Sequence, residues 1–150
     1  MEKITFTVPG RPRPQGSMRF VKSKRTGQVV PTTNKKMMAW RSDVGWRAQQ
    51  VMGGRRFYGG ASMTLVFTFE RPKSHYRTGK FSHLQRDDAP NRMIQTPDLD
   101  KLIRCVLDAL TVVAFADDCE VDTIGATKRW GSPEGLECTL RGVCHAVQEG

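Results

Sequence analysis

No stretch of this sequence is long and apolar enough to cross a bilayer. The charge-free stretches at residues 61–69 and 109–116 fall far short of the roughly 20 apolar residues that a spanning helix needs. Histidine is scarce, with three in 150 residues. His75 and His83 have no partner at metal-ligand spacing, so both are expected to be solvated loop histidines without a role. The four cysteines, Cys105, Cys119, Cys138 and Cys144, are separated by 14, 19 and 6 positions. That spacing lacks the close pairs of a zinc site. The first eight residues alternate as a strand does and show neither the apolar run nor the small-residue cleavage site of a secretory signal. The expectation is a protein that stays inside the cell with its thiols reduced. Acid is in short supply too: 15 Asp and Glu stand against 24 Lys and Arg.

That imbalance leaves a net charge of +9 and an isoelectric point near 9.8, which favours a polyanionic partner. Nucleic acid is the commonest one, because every phosphate neutralised by Lys or Arg releases condensed counterions. Hydrophobic residues make up 38% of the chain and aromatics 8%, enough apolar surface to exclude a disordered chain. The length suits one domain, residues 1–150.

Patterning divides that domain into strands and two helices. Residues 3–8 read as a strand, ended by Pro9-Gly10 and by a Pro-rich basic segment through Arg19. Residues 19–22 and 28–31 form a plausible basic hairpin around the turn 23–27. From Asn34, the spacing of Met37, Met38, Trp40, Val44, Ala48 and Val51 predicts a helix with one buried face, stopped by Gly53-Gly54. A loop at 53–60 and a strand at 63–69 follow, then a long loop at 71–97. Leu99, Leu102, Ile103, Val106, Leu107 and Leu110 mark the clearest helix, which should pack on the sheet. Strands at 121–130 and 136–147, with a turn at 131–135 between them, should pair as a hairpin. The fold class is α/β of the α+β type: a small mixed, largely antiparallel sheet packed against two helices.

Acid is concentrated at the two ends of the second helix, at Asp98 and Asp100 before it and at Asp117 and Asp118 after it. If the chain were helical from Pro97, Asp98 and Asp100 would point about 200° apart and could not share a ligand, so Asp98 belongs to the turn ahead of the helix. One explanation is structural: carboxylates at a helix amino terminus cap free N–H groups and complement the dipole. The other is functional. Asp98, Asp100 and one of Asp117 or Asp118 converge on one or two Mg²⁺ ions, hard cations that prefer carboxylate oxygen; Mn²⁺ is the alternative metal. Such ions activate water and stabilise charge on a scissile phosphate. Arg104 either clamps a phosphate oxygen or pairs with Asp100.

Residues 98–111, DLDKLIRCVLDALT, followed by Ala114-Phe115-Ala116-Asp117-Asp118-Cys119-Glu120-Val121, resemble the RusA family of Holliday junction resolvases. The Lys128-Arg129-Trp130 strand end and, more loosely, residues 8–19 resemble that family as well. The resemblance implies a RusA-like fold and a homodimer that binds four-way DNA junctions by structure and nicks two opposed strands. It uses Mg²⁺ held by aspartates from each subunit, and the enzyme's symmetry mirrors that of the junction. It implies roles in DNA recombination and repair, a cytoplasmic setting in a bacterial nucleoid or a phage-infected cell, and a phage or prophage origin. By position, Asp98, Asp100 and Asp118 match the family aspartates, with Asp117 as the rival for the third place. Arg104 stands where lysine is usual, and Lys101 where asparagine is. Arginine keeps the charge but cannot release a proton.

The remaining basic residues are candidates for DNA phosphates: Arg11, Arg13, Arg19, Lys22, Lys24 and Arg25, then Arg71, Lys73, Arg77, Lys80 and Arg86, and finally Lys128 and Arg129. Phe20, Phe81 or Tyr76 is a candidate wedge at a junction centre. Two other readings compete with the resolvase: a DNA-structure-binding protein without catalysis, and a nuclease acting on forks and flaps.

Overall fold

The structure, a computed structural model, describes residues 1–16, 20–31 and 34–148. The first strand, β1 (Glu2–Pro9), buries Phe6 and Val8 on alternate positions. Strands β2 (Phe20–Lys22) and β3 (Val29–Pro31) pair antiparallel as the expected hairpin, closed by the Ser23 N–H on the Gln28 carbonyl at 2.7 Å. Arg19 lies outside the described residues.

Helix α1 (Lys35–Met52) is capped by Asn34, whose side-chain oxygen accepts from the Met37 N–H at 3.1 Å. It ends at Gly53, where φ is 59°, a conformation that suits glycine. Its buried row is Trp40, Val44, Ala48 and Met52 at strict four-residue spacing. Met38 and Val51, expected inside, are exposed, and Met37 is half-buried. A row spaced by four presents a narrow stripe, and Val51 is turned about 100° away from Met52.

Strand β4 (Arg55–Phe69) starts well before the expected Met63. Gly59 and Gly60, read as loop, form a bulge between Tyr58 and Ala61, with φ values of 74° and 111°. After the long segment come α2 (Leu99–Leu110), β5 (Val121–Trp130) and β6 (Gly135–Ala146). The main sheet has the order β1-β6-β4-β5, with β5 parallel to β4 and the other neighbours antiparallel. The expected hairpin of β5 and β6 therefore does not form, because β4 lies between them. β4 buries Ala61, Met63, Leu65, Phe67 and Phe69, and needs a partner on both edges. The turn between β5 and β6 passes over the end of β4, where the Gly131 N–H donates to the Phe69 carbonyl at 2.9 Å.

Helix α2 crosses from β4 to β5 and buries Leu102, Cys105, Val106, Ala109 and Leu110. Each large aliphatic chain so buried is worth roughly 1.5–3 kcal/mol, whereas a cap is worth about 1 kcal/mol. Burial therefore fixes α2, and its cap position is free for other duty. Gly45 of α1 lets the two helices approach: a Cβ there would lie 3.3 Å from the Ala109 carbonyl oxygen.

The segment 71–97 contains two single helical turns and a bridge between Tyr76 and Gln85. His75 in it is buried, contrary to the expectation of a solvated side chain. Its Nδ1 lies 3.4 Å from Arg71 Nη1, its Nε2 lies 3.2 Å from Gln95 Nε2, and its ring meets Trp130 edge-on at 5.1 Å. Arg71 is a near neighbour in sequence, whereas Gln95 stands at the far end of the segment and Trp130 at the end of β5. His83 is exposed, as expected.

Candidate functional site

Asp98 occupies the position before α2 with extended backbone, φ −69° and ψ 139°, outside the helix as the geometry of the sequence requires. Its carboxylate makes no capping hydrogen bond, and pairs instead with Lys101 Nζ at 3.1 Å. Its carbonyl accepts the Leu102 N–H at 3.1 Å. Asp100 sits in the first turn and is exposed. Asp100, Arg104 and Asp108 follow one another at four-residue spacing along an exposed row of α2. Among the described residues Arg104 forms no ion pair, so it does not neutralise Asp100.

At the far end of α2, the Gln15 amide donates to the Asp108 carboxylate, while its oxygen accepts from Arg41 Nη1 at 3.0 Å. The Gln15 N–H also donates to the Lys101 carbonyl at 3.0 Å, so the Pro-rich segment is strapped across both helices. Neither Gln15, inside the Pro-rich segment, nor Arg41 carries a sequence signal that would single it out.

Asp117 and Asp118 lie on the turn that leads into β5. Asp117 Oδ1 accepts the Cys119 N–H at 3.3 Å. The hydrogen bond with Asp118, then the Cys119 amide, hold the Asp117 carboxyl below its ordinary range. Asp118 is pushed up, first by sharing that bond and then by slight burial and the negative charges of Asp117 and Asp108. Asp118 therefore lies within electrostatic reach of the carboxyl end of α2.

These placements separate the acids. The 12 residues of α2 span about 18 Å, with Asp98 and Asp100 at one end and Asp117 and Asp118 beyond the other. A single chain does not bring the two pairs together, and among the described residues no group of three acidic, His or Cys side chains could hold a metal ion. The donors do fit Mg²⁺ in kind. Asp98 and Asp100 are exposed oxygen donors free of capping duty, and Mg²⁺ is commonly held by one or two carboxylates with water and substrate phosphate completing its shell.

The basic candidates differ in their surroundings. Arg11 pairs with Glu134 at 2.8 Å, Arg77 with Asp87 at 3.2 Å and Arg86 with Asp88 at 3.1 Å. Arg71 donates to the Pro90 carbonyl at 2.7 Å and stacks over Trp130, and Arg129 donates to the Thr68 hydroxyl at 3.0 Å. Lys128 donates to the Gln95 and Pro97 carbonyls at 2.7 and 2.9 Å. Lys22, Lys24 and Arg25 lie exposed on the hairpin, Lys73 and Lys80 are exposed on the long segment, and Arg13 is half-buried. Of the wedge candidates, Phe20 and Phe81 are exposed and Tyr76 is half-buried. Clefts of about 570 and 310 Å³ open beside Arg71 and Trp130, and neither is lined by an aspartate. No described helix is long and apolar enough to cross a membrane.

A basic mixed α+β domain with acids gathered at the ends of one helix defines a protein that meets a polyanion with carboxylates. The chain belongs to the RusA endodeoxyribonuclease family, whose model matches residues 9–141. The family is one of enzymes that cut DNA strands internally. No curated protein matches the sequence.

Proposed function

We propose that this protein is a Mg²⁺-dependent, structure-selective endodeoxyribonuclease that resolves four-way junctions as a homodimer by paired symmetric nicks. One observation carries the reading beyond family membership: Asp98 stands where a helix cap belongs and does not cap. Its carboxylate is half exposed beside Asp100, in a chain of net charge +9.

Asp98 and Asp100 hold the metal, which when bound lowers the pKa of water and offsets charge on the scissile phosphate. Arg104, permanently charged and one turn beyond Asp100, presents its planar fork to a phosphate oxygen. Exposed cations on the hairpin and the long segment position the DNA backbone without reading its sequence. Asp118 completes the site from the second subunit, since about 18 Å of helix separates it from Asp98 within one chain. Asp118 is favoured over Asp117, whose carboxylate caps the turn.

Labelled junction, fork, flap and linear duplex are incubated with the protein, with Mg²⁺ or with chelator. Paired nicks confined to the junction and dependent on Mg²⁺ are expected, and Asp100→Asn should abolish them while leaving junction binding intact. Wild-type nicking by that variant refutes the role of Asp100. Asp100→Asn and Asp118→Asn chains, inactive alone, should regain single-strand nicking when mixed, because one site of the mixed dimer keeps both acids. Failure to complement removes the shared site. The separation of the acids within one chain also favours a second reading, a junction-binding protein that does not cut. Stable uncut complexes with Mg²⁺ present would select it.

A further inference from the structure

Lys128 is the basic residue whose surroundings least resemble a DNA contact. Over the last five residues of β5 the half-buried positions are Ala126, Lys128 and Trp130, and the intervening residues are exposed, so Lys128 projects on the inner side of the sheet. An ammonium on that side needs partners, because burying an unpaired charge is costly. It has them in two main-chain oxygens, Gln95 at 2.7 Å and Pro97 at 2.9 Å, which take two of its three donors. Both carbonyls belong to the last turn of chain before Asp98. The same short segment is gripped from its other side, where the Gln95 amide meets the buried ring of His75.

We infer that Lys128 is a positioning residue: it fixes the backbone that presents Asp98 and Asp100, and is not a phosphate contact. The inference rests on the proposed nuclease activity for its kinetic consequence, and on geometry alone for its structural one. The Asp98 carbonyl is tied to the Leu102 N–H, but its side chain does not cap α2 and its ion pair with Lys101 is half exposed, so the chain entering Asp98 depends on the two Lys128 bonds. A carboxylate that must meet a reacting centre loses about 100-fold in rate for a displacement near 1 Å. Two carbonyls anchored on a strand of the central sheet restrict displacements of that size.

The experiment compares wild type with Lys128→Met, which keeps an unbranched stem of similar bulk, and Lys128→Arg, which restores two donors. On a four-way junction, Lys128→Met should lower kcat about 10- to 100-fold with KM within about twofold, and Lys128→Arg should recover part of the loss. Junction affinity is measured against salt in parallel. Loss of a phosphate contact would reduce the slope of log K against log[salt] by about 0.9, whereas a positioning residue leaves the slope unchanged. A reduced slope with unchanged kcat overturns the inference. Amide hydrogen exchange over residues 94–102 provides a readout independent of catalysis. It should quicken in Lys128→Met and stay slow in Lys128→Arg, and equal exchange in all three proteins also overturns the inference. An inactive wild type would end the nuclease reading alone, leaving hydrogen exchange to decide the role of Lys128.

Discussion

Lys101→Asn isolates the ion pair that Asp98 makes. The two side chains are 48% and 53% exposed, so the pair competes weakly with solvent and is worth about 0.2–1 kcal/mol. A divalent cation binding Asp98 must displace the lysine or share the carboxylate with it, so removing Lys101 returns that free energy to metal binding. At 1.4 kcal/mol per tenfold, the Mg²⁺ concentration for half-maximal cleavage should fall about 1.4- to 5-fold. The effect should be largest at low ionic strength and shrink as the Debye length falls below about 10 Å above 0.1 M salt. Stability should hardly move: at most about 1 kcal/mol, or a Tm drop of about 2–4 °C for a domain of this size. The assay is a Mg²⁺ titration of junction cleavage at two salt concentrations, with junction affinity measured separately to account for the lost positive charge. An unchanged or raised Mg²⁺ requirement, with affinity and Tm as in wild type, would refute the argument that Asp98 is a metal ligand held in check by Lys101.

Two further perturbations test the fold around the site. Val112, in the turn after α2, is a β-branched residue at φ 74°, so Val112→Gly should relieve strain and stabilise the protein by about 1 kcal/mol in urea titration; a loss of stability would show that the backbone there is not strained. Of the four thiols only Cys119 is exposed, and one equivalent per chain should react with a bulky disulfide reagent under native conditions. Burial pushes the Cys105 thiol up to about 11 and the Cys138 thiol up to about 12, so the folded state keeps these protons more tightly than the unfolded chain does. Their contribution is intact below about pH 9 and is lost at roughly 1.4 kcal/mol per pH unit for each thiol as pH rises from there toward the folded values. Cys138→Ala should flatten that alkaline decline, and an identical slope would contradict the burial of Cys138.

How much could be read from the sequence follows from the range of the forces involved. α2 was legible because its buried row repeats at helical spacing, and its relation to Asp98 was legible because, at 100° per residue, Asp98 and Asp100 can share a ligand only if Asp98 lies outside the helix. The family was legible from the local spacing of residues 98–121. Sheet order was not, since neighbouring strands with a good turn between them look like a hairpin until the demand of β4 for two partners is known. His75 looked solvated because, of the groups around it, only Arg71 is a near neighbour in sequence, while Gln95 at the far end of the same segment and Trp130 on β5 are brought to it by the fold.

The separation of the acids follows from the length of α2, which can be counted in the sequence, and from the direction of the chain after it, which cannot. Twelve helical residues make α2 about 18 Å long, and the turn after α2 does not run back along the helix, because β5 begins beside Ala61 of β4 while Lys128 lies beside Phe67. Lys128 grips the chain just before Asp98, so the two acidic ends are tied to opposite ends of one pair of parallel strands. Flexing a side chain cannot close that distance. The dimer proposed above closes it if its two-fold axis runs perpendicular to α2, because that operation reverses the helix and sets its carboxyl end beside the amino end of the first. Complementation between Asp100→Asn and Asp118→Asn chains therefore tests the chemistry and the symmetry together: recovery of nicking requires both that the acids share a site and that the site spans two subunits.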